Sequence, residues 1–211
     1  MEQLYKYNRT YHLPHSEGKT SDDKTITDLS GFIGKEVVFS EKMDGENTSM
    51  YTNHYHARSL DSNNHPSRNY VKGIWGRIRY DIPEGWRVCG ENLYAKHSIY
   101  YDNLRDYFMC FNIWNAENMC LNIDETLEWC DLLDIVHVPI LYRGVFDMDF
   151  LMNFHKTLDT TKQEGFVMRL ADSFHYDDFS KSVCKWVRKG HVQTDKHWAS
   201  EKIVPNKLIN L

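Results

Sequence analysis

The feature that most constrains the fold of this chain is a series of short strand-like segments with only isolated helical patterns between them. Apolar runs and alternation with period two predict strands, and apolar residues three and four apart predict helices. The predicted strands are 35–39, 47–51, 54–59, 86–90, 107–114, 136–142, 166–170 and 183–187. The predicted helices are 69–79, 123–133 with Asp124 as its N-cap, and 147–158. Because strands and helices do not alternate strictly, we expect an α+β fold with mainly antiparallel β-sheets flanked by helices.

The remaining bulk properties are those of an ordinary globular protein. The 211 residues fit a single domain with a substantial core, and residues 1–30 are expected simply to lead into that core, with a loop at 16–23. No apolar run is long enough to span a membrane, and the first residues lack the apolar region of a signal peptide. The five cysteines are an odd number without a Cys-x-x-Cys pair, which favours reduced thiols in a cytoplasmic protein.

Charge is distributed unevenly along the chain. The net charge is −5, which argues against a general nucleic-acid coat protein. Residues 181–211, however, contain seven Lys or Arg against two acids. This basic segment predicts one face for an anionic partner, although a solvated basic tail would have the same composition.

A lysine stands at the end of a predicted strand, in the stretch 41–47 (EKMDGEN). Gly45 can adopt backbone angles closed to other residues and would let a ligand approach the main chain. A lysine amine is a nucleophile only when neutral, so Lys42 would need burial or nearby positive charge to depress its pKa of about 10.4. Glu41 and Asp44 would act in the opposite direction. A plain hairpin with a surface lysine explains this stretch equally well when it is taken alone.

Six stretches together narrow the interpretation, and their order and spacing are more specific than any one of them. They are 41–47 (EKMDGEN), 57–59 (ARS), 88–93 (VCGENL), 108–114 (FMCFNIW), 164–169 (EGFVMR) and 183–189 (VCKWVRK). This series resembles the motifs of the covalent nucleotidyltransferases, which include ATP-dependent RNA and DNA ligases and mRNA capping enzymes. The Lys-x-x-Gly-x-Asn form of the first motif is most similar to that of the ATP-dependent RNA ligases. The resemblance covers about residues 35–190 and implies an ATP-grasp-like ligase catalytic domain.

The resemblance implies a three-step reaction that uses ATP and Mg²⁺ or Mn²⁺. In that family the lysine attacks the α-phosphate of ATP and releases pyrophosphate. The AMP then passes to the 5′-phosphate of a strand, and a 3′-hydroxyl displaces it to seal the break. Such chemistry needs a nitrogen nucleophile and cations that neutralise phosphate charge. The expected partners are RNA ends, in a nicked duplex, a single-stranded end or a broken tRNA loop, with no membrane partner and an unspecified oligomeric state.

The resemblance also assigns roles to individual residues. Lys42 would be the nucleophile, and Lys185 a second catalytic residue in contact with the α-phosphate. Lys185 and a hydrated metal ion are both candidates for depressing the pKa of Lys42. Glu91 would hold the ribose or organise the metal, Glu164 would bind the catalytic metal, and Phe111 would stack on adenine. The full nucleotide-binding set is Glu41, Lys42, Asn47, Arg58, Glu91, Phe111, Glu164, Lys185 and Lys189. Each has a local alternative: a surface arginine at position 58, turn glutamates at 91 and 164, core packing at 111, and an outward-facing lysine at 185.

Two positions depart from the family pattern. Val187 stands where a second lysine is usual, and on a strand the same-face Lys189 lies about 13 Å from Lys185 instead of about 6.6 Å. Asn112 stands where an acid is common. Both changes leave the first step plausible and bear more on the later steps and the choice of substrate.

Only about twenty residues follow Gly190, so we expect one nucleotidyltransferase domain over 1–211, without an appended OB-fold or helical domain. Strand binding would then involve Lys181, Lys185, Arg188, Lys189, Lys196, Lys202 and Lys207, and would be sensitive to salt. His191 and His197 lack an evident third ligand for zinc and favour contacts to phosphate or to the core. A DNA ligase, a capping-type enzyme and a non-catalytic module that binds nucleotides or strand ends remain alternatives.

Overall fold

The computed structural model describes residues 3–62, 64–190 and 203–209, which form two mainly antiparallel β-sheets with a few helices. The strands are β1 Tyr11–His12, β2 Glu36–Glu41, β3 Glu46–Met50, β4 Tyr55–Ala57, β5 Arg87–Asn92, β6 Phe108–Trp114, β7 Met119–Cys120, β8 Val136–His137, β9 Ile140–Val145, β10 Gly165–Leu170, β11 Phe174–His175 and β12 Val183–Val187. The α-helices are α1 Asn69–Ile78, α2 Ile123–Leu132, α3 Met148–Phe154 and α4 Phe179–Ser182. The predicted α+β class with antiparallel sheets and flanking helices is confirmed.

The two sheets contain different parts of the chain. One has the strand order β1-β12-β10-β2-β9, and the other β11-β7-β6-β5-β3-β4 with β8 paired to β6. Only two pairings among the described strands are parallel, β1 with β12 and β6 with β8. Consecutive strands β2 and β3 belong to different sheets, so the short loop between them crosses from one sheet to the other.

The central strands of the smaller sheet are apolar on one face and mixed on the other. Phe39 of β2 stacks on Phe166 of β10 with ring centroids 5.1 Å apart, and Phe154 of α3 packs edge-on against both. Side chains alternate along a strand, so the opposite face carries Ser40 and Val167, which are cross-strand neighbours. That second face is turned toward the larger sheet.

Two helices cover the outer side of the larger sheet. Val71, Ile74 and Ile78 of α1 are buried in one apolar cluster with residues of β3, β5 and β6. They lie at helical spacing, which is the pattern that predicted this helix. The N-cap of helix α2 is Asn122, whose side chain accepts from the Glu125 N–H in a reciprocal capping box. The predicted N-cap, Asp124, was therefore wrong by two positions.

Three further sequence predictions need correction. The predicted strand 136–142 is two strands, β8 and β9, in different sheets, with Pro139 between them. The predicted helix 147–158 ends as α-helix at Phe154 and continues as a 3₁₀ turn over His155–Thr157. The short β1, β7, β11 and α4 were not predicted, because elements of two to four residues carry little periodicity.

The first thirty residues do more than lead into the core. Leu13 and Ile26 are buried in the main apolar cluster, and β1 extends the smaller sheet beside β12. Ser16 donates and accepts hydrogen bonds with the main chain of Val187, fixing this segment across the end of β12. The prediction of a simple lead-in was therefore wrong.

All five cysteines are buried and unpaired. The segment 203–209 docks on the connection between β5 and β6, where buried Asn206 bonds to main-chain groups of Leu93, Tyr94 and Tyr101. Among the described residues, no helix combines the length and apolar character needed to cross a bilayer.

Candidate active site

Lys42 is held in place by the strand pairing that surrounds it. Its N–H donates to the Gly165 carbonyl at 3.0 Å, which continues the β2–β10 ladder by one residue and sets Lys42 beside Glu164. The Nζ of Lys42 lies 2.6 Å from a carboxylate oxygen of Glu164. The Lys42 side chain is 23% exposed and that of Glu164 5%, so the pair is largely withdrawn from water. This is not a surface lysine on a plain hairpin.

Gly45 serves a packing role that differs from the predicted one. Its φ is not in the left-handed region, and a Cβ at this position would collide with the main-chain oxygen of Asn92 and approach the Leu93 side chain. The loop therefore closes tightly on the end of β5. Glycine is thus required at position 45 for a close contact within the protein. The approach of a ligand to this main chain stays a prediction.

Asp44 is oriented away from the lysine amine. Its carboxylate accepts hydrogen bonds from the N–H and hydroxyl of Ser98, both at 2.7 Å, and from the Ile99 N–H at 2.8 Å. Of the carboxylates that raise the pKa of Lys42, it has the smallest effect. Asp44 thus anchors the loop to residues 98–99.

A cavity of about 250 Å³ opens between the two sheets around this lysine. Seven of the nine predicted nucleotide-binding residues line it: Glu41, Lys42, Asn47, Arg58, Glu91, Phe111 and Lys185. Glu164 reaches it through its contact with Lys42. Lys189 is exposed beyond the end of β12 and does not line the cavity. Residues that are far apart in sequence are therefore brought together as predicted, except Lys189.

The carboxylates beside Lys42 dominate its titration. Burial acts to lower the pKa of Lys42, but Glu164, Glu91 and Asp44 outweigh it and hold the pKa above its ordinary value. In turn, burial raises the pKa of Glu91 to about 8, despite the opposing effect of Lys42. The amine is thus protonated in the protein without its ligands.

Lys185 lies on the mixed face of β12, pointing into the cavity. Burial and the neighbouring Lys42 lower its pKa to about 8. Among the described residues no carboxylate lies within ion-pair distance of its amine. An inward lysine without a partner acid is suited to an anionic ligand, so the outward-facing alternative is wrong.

The aromatic wall of the cavity is Phe111 on β6. It is half-buried, and its ring meets Tyr7 edge-on at 5.1 Å. Val138 and Val167 line the same cavity and supply apolar surface. Phe111 therefore both packs against the core and presents part of its ring to the cavity, which reconciles the two alternatives for this residue.

Asn112, one of the two departures from the family pattern, belongs to a buried polar network. Its amide nitrogen donates to the Tyr7 hydroxyl at 2.7 Å, and its amide oxygen accepts from Arg169 at 2.7 Å. Arg169 is 4% exposed and donates also to the carbonyls of Leu121 and Leu170. The network positions Tyr7 behind Phe111. The other departure, Val187, is fully buried.

Sequence reasoning missed several residues that line the cavity. They are Tyr7, Asn8, Arg9, Asp23 and Arg169. One signal was present, because residues 5–11 (YKYNRTY) place Tyr or Arg at every second position. Such alternation is typical of an extended segment with two different faces.

Two carboxylates are available for a metal ion. Glu91 of β5 pairs directly with Asn47 of β3, and both Glu91 and Glu164 act on the charge of Lys42. No cluster of three or more potential ligand side chains occurs among the described residues. Mg²⁺ is commonly bound by one or two carboxylates together with substrate phosphates, so this donor set fits such an ion. His191 and His197, which were considered for zinc, lie outside the described residues.

The comparisons with known proteins agree with this geometry. Three solved structures share the fold. One is a Naegleria gruberi RNA ligase with PPi (TM-score 0.56, 17% identity, 88% of this chain and 61% of that chain). The second is a putative ATP-dependent DNA ligase from Aquifex aeolicus (TM-score 0.53, 17% identity, 84% of this chain and 50% of that chain). The third is an archaeal ATP-dependent RNA ligase (TM-score 0.51, 14% identity, 84% of this chain and 48% of that chain).

This chain thus spans about half to three fifths of the length of those structures. At these identities the likeness establishes a common fold only. The family match is more direct, because the model described as RNA ligase matches residues 35–187, which contain the lysine loop and the strands around the cavity. The chain belongs to the RNA ligase family.

Proposed function

We propose that this protein is an ATP-dependent RNA ligase that joins 3′-hydroxyl and 5′-phosphate ends through an AMP bonded to Lys42. The observation that carries the proposal is the Lys42 amine, 2.6 Å from Glu164, at the edge of a cavity also lined by Glu91, Phe111 and Lys185. An amine, two carboxylates, an aromatic side chain and a second cation thus surround one space, which supports the proposal.

Apolar and charged side chains both line the cavity, as a ligand with a base and phosphates requires. Phe111, Val138 and Val167 offer surface for adenine, and Lys42 and Lys185 offer charge for phosphate. Structures of the Naegleria gruberi RNA ligase are known with ATP and Mn and with AMP and Mn. Those ligands support ATP and a divalent metal as the requirements of this chain.

The first proposed step forms a phosphoramidate. The lone pair of the Lys42 Nζ attacks the α-phosphorus of ATP, the bond from that phosphorus to the α–β bridging oxygen breaks, and pyrophosphate leaves with the bonding electrons. The nitrogen releases a proton as the N–P bond forms. Lys185 is placed to neutralise charge on the α-phosphate as it builds up.

In the second step an oxygen of the strand's 5′-phosphate attacks the same phosphorus, the N–P bond breaks, and the nitrogen takes up a proton to restore the amine of Lys42. In the third step a 3′-hydroxyl oxygen attacks the 5′-phosphorus and AMP departs. The hydroxyl proton is released as the new phosphodiester forms, so atoms and charge balance over the three steps.

The amine must lose its proton before the first step. In the unliganded protein Glu164 and Glu91 hold the pKa of Lys42 above its ordinary value. A divalent cation on these two carboxylates would neutralise the charge that retains the proton and would share the charge of the phosphates. Lys185 and Arg58 act in the same direction, because both are cations lining the cavity.

Labelling with ATP tests this proposal. The protein is incubated with α-labelled ATP and Mg²⁺ or Mn²⁺ and then scored for acid-stable label on the polypeptide. We expect label on the wild type and on Lys35→Ala, whose side chain is exposed at the far end of β2, and none on Lys42→Ala. An unlabelled wild type, or equal label on Lys42→Ala, would contradict the proposal.

One observation favours a non-catalytic binding module as a second candidate. The usual second lysine is replaced by Val187, whose side chain is fully buried and carries no charge. A binding module predicts ATP or RNA binding without covalent label. Labelled GTP in place of ATP in the same assay tests the capping-type alternative. A separate sealing assay with nicked DNA beside nicked RNA tests the DNA-sealing alternative.

A further inference from the structure

The N-terminal segment forms part of the cavity wall although it precedes the matched region 35–187. Tyr7 contacts Phe111 edge-on at 5.1 Å and accepts a hydrogen bond from Asn112. Arg9 lines the same cavity, as does Arg58 from the larger sheet. Residues outside the family match therefore continue the proposed active site.

Two shallow depressions adjoin the cavity and share this segment as a wall. The first is lined by Lys6, Tyr7, Asn8, Arg9, Arg58, Ser59 and Tyr176. The second is lined by Asn8, Arg9, Tyr11, Lys24, Tyr176, Asp177, Phe179 and Ser180. Asn8 and Arg9 belong to both depressions and to the cavity, so the three spaces meet at one point. We call the two depressions together the N-terminal groove.

The N-terminal groove is lined by four cations and one acid, Asp177. Its four cations are Lys6, Arg9, Lys24 and Arg58, and none of them forms an ion pair with a carboxylate within the described part of the chain. Arg9 donates to the main-chain oxygen of Asp22 at 2.6 Å. Burial and the proximity of Arg9 lower the pKa of Arg58, so the two guanidinium groups repel each other. An anion between them would relieve that repulsion.

Aromatic side chains accompany these cations. Tyr11 and Tyr176 line the groove and are half-buried, each with part of its surface accessible. Tyr176 donates from its hydroxyl to the Lys6 carbonyl at 2.6 Å, which fixes its ring beside the N-terminal segment. Cations that follow a backbone, together with aromatic rings on which bases stack, are the usual components of a single-strand binding groove.

We propose that the N-terminal groove binds the single-stranded polynucleotide adjoining the end that is joined, with its backbone phosphates on Lys6, Arg9, Lys24 and Arg58. This inference rests on the proposed function, because it takes the bound strand to be one whose end the protein joins. It assigns a strand-binding role to residues that precede the family match. The basic residues 181–207 were the predicted surface, but Lys181 pairs with Asp178 at 3.6 Å, and Lys196 and Lys202 lie outside the described residues.

The leaving pyrophosphate of ATP is another anion that Arg9 and Arg58 could hold. It would occupy the cavity that these two residues line. Lys6 and Lys24, in contrast, line only the outer depressions. A ligand that needs all four cations must therefore extend beyond the cavity, which favours a strand over pyrophosphate.

The test measures strand binding without ATP. A fluorescent, 5′-phosphorylated single-stranded RNA of about 12 nucleotides, near the upper range for one binding fold, is titrated at several salt concentrations. The double variant Lys6→Ala, Lys24→Ala is compared with Lys35→Ala, Lys72→Ala, which removes two exposed lysines outside the groove. Thermal melting checks that both variants are folded.

We expect the groove variant to bind about tenfold more weakly at low salt, with a slope of log affinity against log salt smaller by about 1.4. The control should stay within about twofold of the wild type, since it retains the same phosphate contacts. Unchanged affinity and slope in the groove variant would overturn the inference. The inference would also be overturned if pyrophosphate displaced the RNA completely from the wild type while the groove variant bound the RNA as tightly as the wild type.

The result is separable from that of the lysine-labelling assay. Loss of strand binding in the groove variant supports the groove even if the wild type takes no label from ATP. A labelled wild type whose groove variant binds RNA normally keeps the proposed function and overturns the groove.

Discussion

At the residue scale, the site combines two lysines in different states. Lys42 is protonated and paired with a carboxylate, whereas no carboxylate lies within ion-pair distance of Lys185 among the described residues. Glu164 accepts from Lys42 at 2.6 Å, whereas Lys185 has its pKa lowered to about 8 by burial and by Lys42. Burying an unpaired cation costs stability, and such groups occur where a ligand supplies the missing charge. Lys185 is thus better explained by binding phosphate than by stabilising the fold.

Lys185→Met should therefore separate activity from stability. We expect the rate of label transfer from ATP to fall by about 10²–10³-fold, the usual effect of losing one charge-stabilising group. The melting temperature should stay the same or rise, because a desolvated cation is removed. Lys181→Met, at an exposed position, is the matched control. A loss of activity that only follows a loss of melting temperature would contradict this role.

Asn112 tests the buried polar network. Asn112→Ala leaves a buried guanidinium nitrogen of Arg169 and the Tyr7 hydroxyl without their partner. We expect a loss of about 2–4 kcal/mol in the free energy of unfolding, measured with urea. Asn112→Asp, which restores an acceptor for Arg169, should be milder. Equal losses in both variants would show that Arg169 does not depend on this acceptor.

At the scale of elements, local patterns predicted the strands and helices that have strong periodicity. Strand 183–187 was predicted with its observed bounds, and helix 123–133 was one residue too long. The division at Pro139 was missed, because whether β8 and β9 share a sheet depends on distant partners. The N-terminal contribution was missed for the same reason, since the pairing of β1 with β12 joins residues far apart in sequence.

The site was predicted more fully than the fold around it. The motif series identified residues that line the cavity, because each motif fixes a chemical role as well as a local structure. Tyr7 and Arg9 carry no such motif, and only the tertiary structure brings them to the cavity. Lys189 does not line the cavity, because it lies beyond the end of β12 at Val187, and its contact with a nucleotide stays a prediction.

The lysine loop depends on glycine at position 45. In Gly45→Ala the added Cβ would meet the Asn92 carbonyl, so the loop that carries Lys42 must shift. We expect label transfer to fall at least about tenfold, with a stability loss of about 1–3 kcal/mol. Gly76→Ala in α1 is the control, since its Cβ meets nothing within 4 Å and should stabilise the helix by up to about 1 kcal/mol. Retention of full activity in Gly45→Ala would show that the loop adapts.

The short strand β8 should make stability sensitive to acid. His137 donates from Nδ1 to the Val138 carbonyl at 2.6 Å, and its Nε2 is buried without a partner among the described residues. Burial lowers the pKa of His137 to about 4, below its value of about 6.5 in the unfolded chain. The unfolded state therefore binds the proton first, and this group's contribution is lost as pH falls from about 6.5 to about 4.

The measurement is the free energy of unfolding across that pH range for the wild type and His137→Gln. The variant should show a decline smaller by up to about 3 kcal/mol, which is the upper limit set by the shift in pKa. Parallel curves of unfolding free energy against pH for the two proteins would show that protonation of His137 does not cause the loss of stability in acid.

At the scale of the whole molecule, the cavity exists because the chain changes sheets at the lysine loop. β2 ends in the smaller sheet and β3 begins in the larger one, so Lys42 stands where the two meet. One sheet supplies Lys185 and Val167, and the other supplies Glu91 and Phe111. A ligand that contacts both sheets should stabilise their relative position.

ATP with Mg²⁺ should therefore raise the melting temperature of Lys42→Ala, in which binding is not followed by covalent transfer. A ligand present at about 100 times its dissociation constant adds about 2.7 kcal/mol to the free energy of unfolding. Lys42→Ala combined with Phe111→Ala should show a smaller shift, because the aromatic wall is removed. Equal shifts in both proteins would place the adenine elsewhere.

The central claim is that the amine of Lys42 carries the nucleotide, and its most direct test is to locate the bond. The protein is incubated with ATP and Mg²⁺, digested, and sequenced by tandem mass spectrometry. The account predicts AMP on the peptide that contains residues 41–47, bonded to Lys42, and its release on addition of pyrophosphate. AMP on another residue, or no adduct on a folded protein that binds ATP, would contradict it.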